Sequence, residues 1–351
     1  MILPKQRATP SPLVSPSGRT GARRRALVLA LGGLSLAPLA ARPRAALAQK
    51  PGRSYRIGWV SIASTRAEPY AQAFTQRLAE RGFIEGRNLE IMYTNAEGKL
   101  DTLRAAASEM ARRKCDLIFG PSNEPGLRAV QQAAPGLPIV IVAADFDPVA
   151  AGHIARLARP GGRITGVSLL QTELPAKRLE VLKDLVPKLR RAGVLADPAG
   201  AGQLKVTRAA ALQLGVELVV HEFTLTPYDF DAAFAVFTRA RVDALLALGS
   251  AFFVPSRKLI PQLALQHRLP SVFHHSQWAE HGGLLSYGPD FSAAFRSAAD
   301  LVVKVLNGAN PGELPVEQAT IIEMVLNLNT ARALNLKIPE AIRLRADRVI
   351  E

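Results

Sequence analysis

Two carboxylates, Asp145 and Asp147, directly follow the apolar run of residues 138–144. Apolar runs that stop at a polar loop are typical of buried strands in a parallel sheet, where ligands bind beyond the carboxyl ends of the strands. A carboxylate pair can carry out general acid–base chemistry. A spacing of two directs the side chains of a strand to opposite faces, however, and the sequence offers no companion nucleophile. We therefore interpret Asp145 as a binding group and predict no catalytic residue.

One histidine cluster is visible in the sequence, consisting of His274, His275 and His281 together with Glu280. A zinc site needs three or four convergent ligands, and this spacing gives no reason for these four to converge. We expect His274 to point into a cleft, and His275 and His281 to be exposed. The sequence therefore predicts no metal site.

Motifs that bind nucleotide cofactors are missing from the sequence. Residues 120–126 lack the lysine and the spacing of a phosphate-binding loop. Gly161, Gly162 and Gly166 precede a predicted strand, whereas a dinucleotide fingerprint precedes a helix. The Gly-x-Ser-x-Gly elbow of α/β-hydrolases is also missing. We predict no cofactor.

The formal net charge of +15 raises the question of nucleic-acid binding. Eight basic residues lie within residues 1–48, however, and this segment contains no acidic residue. The other basic residues are mixed with acidic ones on predicted helices, as at Glu180, Lys183 and Asp184, and no basic stripe is interleaved with aromatic residues. We therefore predict no nucleic-acid partner.

The N-terminal segment has the three parts of a secretory signal in order. Three arginines at residues 23–25 precede the apolar run of residues 26–41, and Ala46-Leu47-Ala48 follows as a small-x-small cleavage pattern. The apolar run is too short for a spanning helix, which needs about 20 apolar residues. We predict that residues 1–48 are a signal peptide of the Sec or twin-arginine type, and that the protein is periplasmic.

After the signal segment the chain alternates β-type and helical segments, which predicts an α/β fold with parallel sheets. Residues 115–142 resemble residues 242–274 in their strand, helix and strand, which favours two Rossmann-like lobes joined by a hinge. We predict crossings between the lobes at residues 164–171 and 284–289, with a third near residues 312–321. The predicted lobes are residues 53–168 with 287–310 for lobe 1, and residues 169–286 with 311–351 for lobe 2.

Eight stretches of the sequence resemble the ABC transporter substrate-binding family that includes tryptophan- and tyrosine-binding proteins. They occur in the family's order and are spread over nearly the whole chain after the signal segment. They are RIGWVS (56–61), LAERGFIEGRNLEI (78–91), AEGKLDTLRAAASEM (96–110), DFDPVAAG (145–152), LARPGGRITGVS (157–168), KRLEVLKDLVP (177–187), GGLLSYGPD (282–290) and LPVEQATIIEMVLNLNTARALNL (314–336). The resemblance implies the type I periplasmic binding fold, whose lobes close over a small molecule.

Three departures from the family's pattern lie at predicted strand ends. The chain has Asp-Pro at 197–198, where the family often has Asn-Pro. It has Ser-Ala at 250–251, where the family often has Asp-Pro before a double phenylalanine. It has His-His at 274–275, in place of small or aromatic residues. These departures bear on the identity of the ligand and leave the fold unaffected.

The resemblance implies a receptor that captures a small molecule, either amino-acid-like or an aromatic or carboxylate compound, and delivers it to an ABC transporter permease in the inner membrane. We predict that this receptor is exported and monomeric. Its ligand residues are expected where strand ends and helix starts face the gap between the lobes. We expect Asp145 to accept hydrogen bonds from a ligand amine, and Phe252 and Tyr287 to stack on the ligand. The other candidates are polar residues at predicted strand ends and loops: Ser61, Ser64, Ser122, Asn123, Asp197, Ser250 and His274.

Two other functions are compatible with the same sequence. One is a periplasmic α/β enzyme, a hydrolase or an isomerase, that uses Asp145 or His274. The other is a ligand-sensing partner of a membrane kinase, which has the same fold. The missing nucleophile, metal and cofactor motifs favour a non-enzymatic receptor, whereas the sequence does not separate transport from sensing.

Overall fold

The computed structural model describes residues 53–224 and 227–351, so the predicted signal peptide lies outside the described residues. The strands are β1 (Tyr55–Ser61), β2 (Leu89–Asn95), β3 (Leu117–Phe119), β4 (Ile139–Ala143), β5 (Ile164–Ser168), β6 (Arg191–Ala196), β7 (Glu217–Glu222), β8 (Ala244–Ala247), β9 (Ser271–Phe273), β10 (Leu285–Pro289), β11 (Glu317–Gln318), β12 (Ile322–Asn327) and β13 (Arg348–Ile350). The α-helices are α1 (Pro69–Glu80), α2 (Leu100–Arg112), α3 (Glu124–Ala133), α4 (Pro175–Leu185), α5 (Ala201–Leu214), α6 (Phe230–Ala240), α7 (Leu259–Gln266), α8 (Ser276–Glu280), α9 (Phe291–Leu306), α10 (Leu328–Ala333) and α11 (Glu340–Arg345). Short 3-10 helices occupy Pro198–Gly200, Ala251–Ser256 and Pro311–Glu313.

Lobe 1 is built on a parallel sheet with the strand order β2-β1-β3-β4-β5-β11. Helices α1 and α9 cover one face, where Trp59, Phe74, Phe119 and Phe295 pack together. Helices α2 and α3 cover the other face. Both faces are buried, which explains why the central strands read as nearly continuous apolar runs.

Lobe 2 is built on a sheet with the order β7-β6-β8-β9-β10-β12-β13. Its strands pair in parallel except for β10 with β12, which are antiparallel. Helices α4, α5, α10 and α11 pack on one face, and α6, α7 and α8 pack on the other. The prediction of two α/β lobes is confirmed, with the β10–β12 pair as an antiparallel addition.

The first five strands of each lobe follow the same spatial order. Lobe 1 has β2-β1-β3-β4-β5 and lobe 2 has β7-β6-β8-β9-β10. The two stretches that resemble each other in sequence, β3–α3–β4 and β8–α7–β9, therefore occupy equivalent places. In such sheets the strand order reverses next to the first strand, and ligands bind outside the carboxyl ends at that point.

The chain crosses between the lobes three times, at residues 169–174, at Asp290 and at residues 319–321. Two boundaries differ from the predicted ones. Residues 287–289 continue β10 in the sheet of lobe 2, whereas the sequence assigned them to lobe 1. Residues from 311 to β11 remain with lobe 1, because Glu317 and Gln318 pair with β5. The sequence of a short strand near a crossing does not indicate which of the two sheets the strand joins, and this is why the two boundaries were predicted wrongly.

Several helices begin where the sequence supplies a cap or a proline. Asp229 accepts a hydrogen bond from the Ala232 N–H at 2.9 Å, and Asp290 accepts one from the Ala293 N–H at 3.1 Å. Helices α1 and α4 begin with Pro69 and Pro175. Among the described residues, the helices are too short or too polar to cross a membrane.

Candidate functional site

A cavity of about 530 Å³, counted out to its opening to solvent, lies between the two lobes at the carboxyl ends of their strands. Lobe 1 contributes Ser64, Tyr70, Ser122, Ala144, Asp145 and Phe291 to its wall, and lobe 2 contributes Gly249, Ser250, Ala251, Val254, Arg257, His274, His275, Gln277 and Trp278. We call this space the interlobe cavity. Its position between two domains is that of a small-molecule site.

Asp145 is the buried carboxylate of the interlobe cavity, with 2% of its surface exposed. Neither carboxylate oxygen has a hydrogen-bond partner among the described residues. Burial raises the pKa of Asp145 well above its ordinary value, and the charge of Asp197 raises it further. The backbone N–H of Ala251 lies close enough to favour the charged form without outweighing burial. A cationic group in the cavity would satisfy this carboxylate.

Asp197 is a second buried carboxylate, at the end of β6 in lobe 2, and its oxygens are occupied. It accepts hydrogen bonds from the Gly200 N–H at 3.1 Å, from the Tyr228 hydroxyl at 3.2 Å and from the Ser250 hydroxyl. Burial raises the pKa of Asp197, and these hydrogen bonds oppose the shift. Asp197 therefore holds Ser250, which lines the cavity.

Two neutral histidines form part of the lobe 2 wall. Burial, followed by the charge of Arg178, lowers the pKa of His274 well below its ordinary value. Burial, followed by the charge of Arg257, lowers the pKa of His275 to about 3. The expectation that His275 is exposed was wrong, because it packs against Phe291 of lobe 1 with ring centroids 4.0 Å apart.

A second space of about 390 Å³ opens within lobe 1 and shares Ser64, Tyr70 and Ser122 with the interlobe cavity. We call it the aromatic pocket, because Trp59, Tyr70, Tyr93, Phe119 and Phe295 line it together with Val60, Ser61, Ser64, Thr65, Gly120, Ser122 and Val142. Aromatic walls favour edge-to-face and offset contacts with a flat apolar group. The shared residues make the pocket an extension of the cavity into lobe 1.

The lobes are in direct contact around the cavity, so the structure is a closed one. Glu68 of lobe 1 contacts Arg257 of lobe 2 at 2.9 Å and accepts a hydrogen bond from the Gln277 side chain at 2.8 Å. The Gln203 side chain approaches the Asp145 carbonyl oxygen at 3.5 Å. These contacts join residues of the two lobes and must break when the lobes separate.

The structure brings half of the predicted site residues together in the interlobe cavity: Ser64, Ser122, Asp145, Ser250 and His274. Ser61 lines the aromatic pocket, and its hydroxyl accepts a hydrogen bond from the Ser64 N–H at 2.9 Å. Four residues lie outside both spaces: Asn123, Asp197, Phe252 and Tyr287.

Asp197 holds Ser250, as described above, and the other three residues cap a helix or pack against a core. Asn123 is fully buried and caps α3, accepting from the Gly126 N–H at 2.8 Å. Phe252 packs against the core of lobe 1 from the opposite lobe. Tyr287 packs against a lobe 2 core, and its carbonyl oxygen accepts from the Arg178 Nε at 2.7 Å.

Part of the cavity wall lies on helices and was not predicted from the sequence. Tyr70 lies on α1, Trp278 on α8 and Phe291 on α9, and their apolar spacing predicts burial without distinguishing core from cavity. Glu68, directly before Pro69, is a buried acidic residue and therefore needs a partner, but its burial cannot be read from the sequence. Within residues 53–224 and 227–351, no group of three His, Cys, Asp or Glu side chains converges to hold a metal ion.

The fold and the interlobe cavity define a periplasmic-binding-type receptor. A model of the family described as "ABC transporter substrate binding protein" matches residues 64–350, and the chain belongs to this family. A tyrosine-binding protein of Clostridioides difficile is 27% identical over 270 residues, covering 76% of this chain and 76% of that protein.

Two solved structures extend the similarity to three dimensions. A conserved domain protein from Vibrio cholerae has a TM-score of 0.78 and 27% identity, covering 85% of this chain and 100% of that one. The ligand-free, open structure of a substrate binding protein with adhesive properties from Clostridium difficile has a TM-score of 0.62 and 25% identity, covering 84% and 99%. The predicted family and the type I periplasmic binding fold are confirmed.

Proposed function

We propose that this protein is the exported receptor of an ABC importer and binds an L-amino acid with an aromatic side chain. The main support for this proposal is that the interlobe cavity and the aromatic pocket are connected. A buried carboxylate, Asp145, which has no hydrogen-bond partner among the described residues, lies beside a pocket lined by five aromatic residues. The ammonium group of an amino acid fits the first, and its ring fits the second.

The ammonium contact is assigned to Asp145 on energetic grounds. A buried ionised carboxylate without a partner is strongly disfavoured, so the closed form without ligand favours the protonated acid. A ligand ammonium supplies the positive charge and up to three donors. Ligand binding thereby exchanges a proton for a cation and stabilises the closed arrangement over the open one.

The aromatic pocket sets the class of side chain. Its aromatic walls suit contacts with a phenol or an indole ring, and Ser61, Thr65 and Ser122 offer hydrogen bonds to a polar ring substituent. The tyrosine-binding relative supports the same class. Hinge closure over such a ligand is the population shift by which two-lobed receptors capture their cargo.

The test is a thermal-shift screen followed by isothermal titration calorimetry with the twenty L-amino acids. A ligand that binds the folded state raises the melting temperature by mass action. We expect L-tyrosine, L-tryptophan or L-phenylalanine to give the largest shifts, and L-leucine and L-lysine to give little. Stabilisation by polar amino acids or sugars with none by aromatic amino acids would contradict the proposal.

Receptor function also requires that the ligand leave unchanged. Mass spectrometry of ligand recovered after prolonged incubation with the protein should show the added amino acid at its original amount. Conversion to a product would favour the enzymatic alternative that uses Asp145 or His274. Uptake of labelled ligand that depends on both this protein and a permease would separate transport from kinase-coupled sensing.

A further inference from the structure

Arg257 is the cationic side chain that faces the interlobe cavity. Among the described residues of the cavity wall, it is the only Arg or Lys. The neighbouring His274 and His275 are neutral at physiological pH, because burial lowers the pKa of each. The positive charge available to an anionic ligand group in the cavity therefore resides on Arg257.

One edge of the Arg257 guanidinium is occupied and another is free. Its Nη1 contacts the Glu68 Oε1 at 2.9 Å. Its Nε is buried and has no hydrogen-bond partner in the part of the chain that the structure describes. A guanidinium presents its five N–H donors as a planar fork that matches a carboxylate in two parallel hydrogen bonds. The free edge, Nε with the adjoining Nη2, has the geometry for such a pair.

Glu68 fixes the orientation of this fork. It is 4% exposed, and both of its carboxylate oxygens face lobe 2, one toward Arg257 and the other toward the Gln277 Nε2 at 2.8 Å. Although it precedes α1 at the N-cap position, its side chain does not cap that helix. Its ion pair with Arg257 and its hydrogen bond with Gln277 therefore cross between the lobes and exist only when the lobes are closed.

We propose that Arg257 binds the carboxylate of the ligand through its free edge, and that Glu68 is a positioning residue that aims Arg257 in the closed form. This inference rests on the proposed function, because it assigns the remaining charged group of an amino acid. The ammonium is then held by lobe 1 at Asp145 and the carboxylate by lobe 2 at Arg257, so a zwitterion contacts both lobes at once.

The experiment is a calorimetric comparison of three probes: L-tyrosine, tyramine, which lacks the carboxylate, and 3-(4-hydroxyphenyl)propionate, which lacks the amine. We expect Arg257→Gln to weaken L-tyrosine binding by about 30-fold and tyramine binding by less than about 3-fold. Arg257→Lys keeps the charge but loses the fork, so we expect an intermediate loss. Arg345→Gln is the matched control, since Arg345 forms an exposed ion pair with Asp184 at 3.0 Å in the same lobe.

Glu68→Gln tests the positioning role. We expect it to weaken L-tyrosine binding by about 5- to 10-fold, and the double variant Glu68→Gln/Arg257→Gln to bind no more weakly than Arg257→Gln alone. A purely structural role of Glu68 would instead add to the effect of Arg257→Gln and would weaken tyramine binding equally. Melting temperatures of all variants identify any that are unfolded, and Arg257→Lys stands in for Arg257→Gln in that case.

The outcomes separate this inference from the proposed function. If the wild-type protein binds none of the aromatic amino acids, the proposed function and the carboxylate assignment are both overturned. If it binds L-tyrosine and the ratio of L-tyrosine to tyramine affinity is the same in Arg257→Gln as in the wild type, the carboxylate assignment is overturned and the proposed function stands. A ratio that collapses in Arg257→Gln and stays unchanged in Arg345→Gln supports the assignment.

Discussion

Asp145 and Asp197 belong to opposite lobes, and each lies just beyond the carboxyl end of a strand of its lobe. Both are almost completely buried, and burial raises the pKa of both. They differ in their partners. Asp197 has three hydrogen-bond donors from its own lobe, whereas Asp145 has none that meets its oxygens within the described residues.

This difference is the reason for proposing Asp197 as a supporting residue and Asp145 as a ligand-binding residue. A buried carboxylate with donors already in place holds its neighbours and has little capacity left for a ligand. A buried carboxylate that lacks donors and lies beside a cavity can accept hydrogen bonds from a bound ligand. Burial alone does not distinguish the two residues, whereas their hydrogen bonds and their place relative to the interlobe cavity do.

The largest expected effect comes from Asp145→Asn. Removing the charge leaves the ligand ammonium buried against a neutral amide, which costs about 2–4 kcal/mol, or about 30- to 1,000-fold in the dissociation constant for the best aromatic amino acid. Calorimetry measures the loss. Asp147→Asn is the control, because Asp147 is exposed and only accepts hydrogen bonds from the Val149 and Ala150 N–H groups, and its affinity should match the wild type. Equal affinities in both variants would remove Asp145 from the site.

Asp197→Ala should affect stability more than binding. The change leaves the Ser250 and Tyr228 hydroxyls and the Gly200 N–H without their acceptor, which costs about 2–4 kcal/mol of folding free energy and lowers the melting temperature by about 4–8 °C. The remaining folded protein should bind its ligand within about threefold of the wild type. A loss of affinity as large as that of Asp145→Asn would make Asp197 a ligand contact after all.

The protonation of Asp145 should make closure without ligand depend on pH. Its pKa is raised in the closed form relative to an open, solvated form, so the closed form is favoured at low pH and is lost as pH rises through the raised pKa. The buried, neutral His274 and His275 act in the opposite direction, because opening lets them take up protons at low pH. Small-angle scattering of ligand-free protein should therefore show a greater increase in radius of gyration from pH 5 to pH 8.5 in the wild type than in Asp145→Asn. The same change of radius with pH in both proteins would assign the effect to another group, with Asp197 as the first to test.

Tyr287→Phe should have the smallest effect. The sequence predicted a stacking contact for this ring, but the ring packs against a lobe 2 core, and the hydrogen bond to Arg178 uses the backbone carbonyl that phenylalanine keeps. We expect the affinity for the aromatic amino acid to change by less than about twofold. A loss of tenfold or more, measured under the same conditions as for Asp145→Asn, would return Tyr287 to the site.

The sequence predicted the fold better than the site. Alternating strand and helix patterns depend on local periodicity, and Asp145, Ser122, Ser250 and His274 could be placed because strand ends share one edge of each sheet. Contacts between the lobes have no such signal. Glu68 and Gln277 are 209 residues apart, and the sequence around either residue does not predict the contact between them.

The aromatic pocket shows a second limit. Trp59, Phe119 and Phe295 have the apolar pattern of core residues, and they do pack in the lobe 1 core. These residues also line the aromatic pocket, because the small volumes of Gly120 and Ser122 nearby leave room there. This arrangement is visible only in the packed structure. Apolar periodicity predicts which residues turn inward without predicting where the interior is left unfilled.

The position of α9 late in the chain has a consequence for biosynthesis. This helix belongs to lobe 1, where Ala294, Phe295, Ala298, Leu301 and Val302 complete the core beside α1, yet it follows nearly all of lobe 2 in the sequence. A nascent chain must therefore be extended through residue 306 before its first-made half can assemble. Premature termination after β10 would leave both halves without essential pieces, so neither half can serve as an independently folding fragment.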